Sequence, residues 1–129
     1  MGIFEKFEDA ISKRVSGNET IRIPFEQMSK LVYDEFIKGN DDEFLEKVKK
    51  TAKGGCMFTE KKLESKTGRY LLQVGGTQRG VLLLGKRKTV WILDTEANKF
   101  YQLDKDSKWK KFYKSVLGEI NMEKVNRNR

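Results

Sequence analysis

A chain of 129 residues can bury one core but not two ordinary ones, and its 37% apolar and 36% charged residues with a single proline predict one folded domain over 1–129. The absence of histidine removes the commonest general base and metal ligand near neutral pH, and a lone cysteine, Cys56, excludes an intrachain disulfide and a cysteine metal site. The formal net charge of +8 is unevenly placed: residues 1–50 carry 9 Lys and Arg against 11 Asp and Glu, so the whole surplus lies in residues 51–129. Asymmetry of that kind predicts one face that meets polyanions.

The start, Met1 to Asp9, lacks a basic stretch followed by an apolar core, so no secretory signal is expected. Ile3, Phe4, Phe7 and Ile11 fall on one side of a short helix over residues 3–15, and residues 1–17 are expected to attach loosely. Residues 19–23, Glu-Thr-Ile-Arg-Ile, alternate polar and apolar with β-branched residues and run into Pro24, predicting a short strand. Pro24 then opens a helix at its first position, with Phe25, Met28, Val32 and Phe36 as the apolar stripe and Gly39 as the stop. Asn40, with Glu43 three residues on, predicts a capping box for a second helix that buries Phe44, Leu45, Val48 and Ala52 and ends at Gly54-Gly55. Cys56 beside Met57 and Phe58 reads as a core residue.

From Cys56 to Leu103 the apolar period falls from 3.6 to 2, predicting strands at 56–64, 69–75, 80–85, 88–94 and 99–103 in an antiparallel meander. Val81–Leu84 and Val90–Leu93 are apolar on both faces and predict two central strands. No apolar run approaches the roughly 20 residues needed to cross a bilayer. A final helix, capped by Ser107, carries Trp109, Phe112, Tyr113, Val116, Leu117 and Ile120 at helical spacing, and residues 121–129 form a flexible tail. The fold class is α+β: a five- to six-stranded, mainly antiparallel sheet or pseudobarrel, with a helical pair before it and one helix after it.

The carboxylate run Asp41-Asp42-Glu43 is explained by a helix start, and Gly75, Gly76, Gly80 and Gly85 lack the following helix of a phosphate-cradling motif. Three basic features remain. Lys86, Arg87 and Lys88 sit at a hairpin tip, where adjacent cations repel unless an anion is near. Lys108, Lys110, Lys111 and Lys114 mark the start of the last helix, opposing its dipole and facing away from the Trp109 stripe. Asp104 and Asp106 upstream offer a competing explanation as their ion-pair partners. Arg79, in the Gly75–Gly80 loop, and Arg69, in the preceding turn, complete the set of cations able to hold phosphates. Trp91, Phe100, Tyr101 and Tyr113 are the aromatic platforms on which bases could stack, each also suited to a core.

The basic charge, the helix pair ahead of the meander and the segment from Gly68-Arg69 through Gly75-Gly76-Thr77-Gln78-Arg79-Gly80 resemble PUA-like pseudobarrels. In size and layout the chain is similar, over residues 19–120, to the PrgU-type regulators of Gram-positive conjugative plasmids. That resemblance implies RNA binding in the bacterial cytoplasm and carries over no particular residue. The expectation is a non-enzymatic post-transcriptional regulator with no cofactor and no membrane association, alone or as a homodimer, that binds single-stranded or structured mRNA. Two alternatives stay open: a RelE-like, metal-independent ribonuclease toxin, and a protein-interaction or immunity module whose basic face meets an acidic protein.

Overall fold

The computed structural model describes residues 20–54, 60–76, 88–104 and 106–127. The architecture is α+β, as expected: strand β1 (Thr20–Ile23), helix α1 (Phe25–Val32) continued by a π-helical turn (Tyr33–Ile37), helix α2 (Asp42–Lys53), strands β2 (Glu60–Glu64), β3 (Tyr70–Gly76), β4 (Lys88–Asp94) and β5 (Lys99–Leu103), and helix α3 (Trp109–Arg127). The expected N-terminal helix, the strand over 80–85, the Gly75–Gly80 loop beyond Gly76, and Cys56 lie outside the described residues.

The sheet order is β1-β5-β4-β3-β2. The β2–β3, β3–β4 and β4–β5 pairs are antiparallel, and β1 lies parallel to β5, with Thr20 opposite Phe100. The sheet is open among the described residues, with β1 and β2 as its edges, so the barrel closure expected as the alternative is not seen there. One pairing differs from expectation. Along its whole length, from Lys88 opposite Gly76 to Asp94 opposite Tyr70, β4 pairs with β3. β4 thus takes the place beside β3 that the meander gave to the 80–85 strand, which lies outside the described residues. Val90–Leu93 does form the central strand, as its two apolar faces predict.

Side chains alternate across a strand, so the sheet sorts its residues between two faces. Leu72, Val74, Val90, Ile92, Leu103 and Ile23 join the helices in the main core, where Met28, Val32, Phe36, Ile37, Leu45, Val48, Phe112 and Val116 are fully buried. The opposite face carries a smaller buried cluster of Leu71, Leu93 and Phe100, with Trp91 packed against it.

The helix ends show why the chain turns where it does. The π-helical turn, closed by the Lys38 N–H on the Tyr33 carbonyl at 2.8 Å, puts both Phe36 and Ile37 into the core. Asp41, rather than Asn40, caps α2, its carboxylate accepting the Phe44 N–H at 2.8 Å. The Asn40 amide reaches back instead and donates to the Phe36 carbonyl at 2.6 Å. At the other end Gly54 has φ +79°, and a Cβ there would meet Val74 Cγ1 at 2.9 Å, so glycine is required on both counts.

Residues 121–127, expected as the start of a flexible tail, continue α3. The Glu123 carboxylate accepts from the Gly39 N–H and the Tyr33 hydroxyl, Lys124 pairs with Glu46 at 3.3 Å, and Arg127 reaches both Asp42 and the Asn40 carbonyl. The acidic junction between α1 and α2 thus holds the C-terminal half of α3, supplying contacts that the polar local sequence does not reveal. No helix among the described residues is long and apolar enough to cross a membrane.

Candidate functional site

The basic site is assembled where α3 begins. After β5 the chain reverses, with the Asp104 N–H on the Ile23 carbonyl and the Ser107 N–H on the Asp104 carbonyl. Ser107 does not cap α3: its hydroxyl accepts the Phe25 N–H at 3.2 Å and satisfies the first turn of α1. That bond sets the start of α3 beside the start of α1. Trp109 then enters the half-buried boundary, its indole N–H donating to the Ala52 carbonyl at 2.8 Å and its ring stacked on Tyr113 with centroids 5.2 Å apart and planes at 10°.

Lys88, the first residue of β4, completes this junction. Its Nζ donates to the Lys53 carbonyl at 2.7 Å and stands 4.2 Å from the centre of the Trp109 ring. A cation on a C-terminal carbonyl of α2 suits the negative end of that helix. Lys88 is therefore a joint between α2, β4 and α3. Arg79, Lys86 and Arg87 lie outside the described residues.

Around the Trp109–Tyr113 pair the surface is cationic. Lys108, Lys110, Lys111 and Lys114 are all exposed, and α3 has no acidic residue in its first turn. Lys111 leans over the Phe25 ring, 5.8 Å from its centre. The described ion pairs join Arg69 to Asp94 and Glu96, Lys124 to Glu46, and Arg127 to Asp42. None of the four lysines has a carboxylate within ion-pair distance among the described residues, so Asp104 and Asp106 do not neutralise them. Lys50 and Lys53 in the last turn of α2 are also exposed. Helix α3 is thus divided, with unneutralised cations in its first half and ion-paired ones in its second.

Arg69 is not brought to this surface. Six register steps of β3–β4 separate the Gly76–Lys88 end from the Tyr70–Asp94 end, about 20 Å at 3.4 Å per residue. There the guanidinium of Arg69 forms a two-bond pair with Asp94, Nε to Oδ1 and Nη2 to Oδ2 at 3.0 Å each, and also meets Glu96 at 3.1 Å. Asp94 Oδ1 accepts the Glu96 and Ala97 N–H groups as well, pinning the turn into β5. Burial pushes the Asp94 carboxyl up, but the Arg69 and backbone hydrogen bonds outweigh it and hold the group below the usual carboxylate range. Hydrogen bonding to Asp94 raises Arg69 in turn. An open polar depression of about 460 Å3 lies beside the pair, lined by Glu35, Thr67, Gly68, Arg69, Thr95 and Glu96. Two carboxylates against one arginine in that lining make it a poor phosphate seat.

The aromatic candidates divide by face. Tyr101 packs on the helix-facing core, Phe100 is buried on the other face, Trp91 is half-buried beside it, and Tyr113 stacks on Trp109. Sequence reasoning placed Trp109 in the packing stripe and missed it as part of the site. The signal available was its position amid Lys108, Lys110 and Lys111, where an indole at a helix start has one edge toward solvent.

No protein-family model, curated protein or solved structure matches this chain.

Proposed function

We propose that the protein binds RNA through the first half of α3 and acts as a non-enzymatic post-transcriptional regulator in the bacterial cytoplasm, in the manner of the PrgU-type proteins its layout resembles. The carrying observation is the group of Lys108, Lys110, Lys111 and Lys114, exposed and without carboxylate partners among the described residues, around a stacked Trp109–Tyr113 pair. Cations in a helix's first turn oppose its dipole, so helix stability does not explain them. A phosphate chain supplies the missing negative charge.

The test is binding of a labelled single-stranded RNA, followed by fluorescence anisotropy as salt is raised. Each phosphate contact contributes a slope of about −0.7 in log affinity against log salt, so reversing Lys110, Lys111 and Lys114 to Glu should flatten the slope by about 2. A salt-independent affinity, or an unchanged slope in the triple variant, sinks the reading. Gel analysis of the same mixtures separates the enzymatic rival: intact RNA supports a binding protein, and cleaved RNA supports a RelE-like ribonuclease.

A further inference from the structure

Proteins that hold single strands stack bases on open aromatic faces, and the rings at the start of α3 are already engaged within the chain. The Trp109 indole has the Lys88 ammonium 4.2 Å from its centre, stacks on Tyr113, and packs against the main core. From either side a base would meet core, phenol or ammonium. Phe25 packs on the same core with Lys111 over its ring, and Phe112 is fully buried. Rings farther off are engaged as well: Lys66 stands 4.8 Å from the centre of Phe44, and Arg69 5.1 Å from the centre of Tyr70. Trp91 lies among Leu71, Leu93 and Phe100, none more than 5% exposed. Among the described residues, the start of α3 therefore offers cations without an open ring.

Those cations do not form a line. The Lys108 carbonyl accepts the first helical bonds, from the Lys111 and Phe112 N–H groups, so Lys108 stands at the helix start. At about 100° and 1.5 Å per residue, the four exposed lysines spread over about 160° of the helix surface and about 9 Å of its axis. Lys108 and Lys110 mark the two flanks, with Lys111 and Lys114 between them. A single strand presents its phosphates in one line, whereas a duplex presents two lines with a groove between. The lysine arrangement fits the second.

We infer that α3 lies against double-stranded RNA and holds its phosphate backbone alone, Lys108 and Lys110 reaching the strands on either side of a groove while every base stays in its stack. The inference rests on the RNA-binding reading and adds the form of RNA recognised. The deep, narrow major groove of A-form RNA keeps base edges from side chains, so contact of this kind is independent of sequence. Single strands bind more weakly, through the Lys110–Lys114–Lys111 arc only.

The test titrates the full chain with a labelled RNA duplex and, separately, with one of its own strands, following anisotropy as salt is raised. The duplex should bind more tightly, with a slope of about −3.6 in log affinity against log salt for four contacts, against about −2.1 for three on the single strand. Lys108→Gln, checked for folding by circular dichroism, should flatten the duplex slope by about 0.9 and leave the single-strand slope unchanged. Oligoadenylate and oligouridylate, which stack strongly and weakly, should bind alike. A single strand that binds more tightly than its duplex, a clear preference for oligoadenylate, or a Lys108→Gln effect shared equally by both forms overturns the inference and leaves RNA binding intact. Preference for a DNA duplex over the RNA duplex, or failure of every RNA to bind, removes both.

Discussion

The ammonium of Lys88 bridges the Lys53 carbonyl and the face of the Trp109 ring, at 2.7 Å and 4.2 Å from the ring centre. A charge-assisted hydrogen bond and a cation–π contact converge on one atom, joining the end of α2 to the starts of β4 and α3. Lys88→Met keeps the length of the side chain and removes both contacts. The expected cost is about 1–2 kcal/mol in urea unfolding. RNA affinity should fall less than in the Lys110, Lys111 and Lys114 charge reversal, because Lys88 is occupied within the fold.

Ser107 caps a helix that lies far from it in sequence. Ser107→Ala leaves the Phe25 N–H without its acceptor and should lower stability by about 1 kcal/mol, the usual cost of a lost N-cap. The destabilisation should extend to both α1 and α3, read as faster amide exchange at Met28 and Phe112 alike. Faster exchange confined to α3 would show that Ser107 serves its own helix.

The Arg69–Asp94 pair makes stability depend on acidity. Asp94 is held below its ordinary value in the folded chain, so its contribution is complete above the unfolded carboxylate value of about 3.9 and is lost as pH falls through the lower folded value. Asp94→Asn should cost roughly 1–3 kcal/mol at neutral pH, and the two proteins should converge in stability as the pH falls through the lowered folded value of Asp94. Denaturant melts at several pH values measure this, and a constant gap between them would contradict it.

Glu123 ties the second half of α3 to α1. Burial, then the charges of Glu123 and Glu119, raise the Tyr33 phenol above its ordinary value. Glu123→Ala should move the Tyr33 titration downward, visible in the ultraviolet absorbance of phenolate, and should cost about 1 kcal/mol through the lost Gly39 N–H acceptor. An unmoved titration would place Glu123 away from Tyr33 in solution.

Apart from the last two turns of α3, period-2 and period-3.6 patterns located the described elements to within a few residues, because one buried face per element leaves its repeat in the chain: Val90 and Ile92 for β4, Phe112, Val116 and Ile120 for α3. What the chain order concealed was long-range. Register decides that Lys88 faces Trp109 while Arg69 faces Asp94, so cations grouped by sequence fall at opposite ends of one ladder. Two capping choices were misread for a similar reason. Asn40 and Asp41 are both good caps, and the Phe36 carbonyl, needing a donor, takes Asn40. Ser107 precedes α3, but the turn after β5 carries its hydroxyl to Phe25. Ile37 escaped the predicted stripe because a π-helical turn shifts the repeat by one residue.

The parallel pairing of Thr20–Ile23 with Phe100–Leu103 governs how the protein can be made. A chain emerging from the ribosome exposes β1 and the apolar sides of α1 and α2 long before β5 and α3 exist to cover them. The early segments must wait, uncovered, until β5 and α3 have been synthesised, and then close together in one late event. A product that stops before α3 leaves the apolar sides of α1 and α2 uncovered and open to aggregation, so the order of synthesis places the decisive packing late.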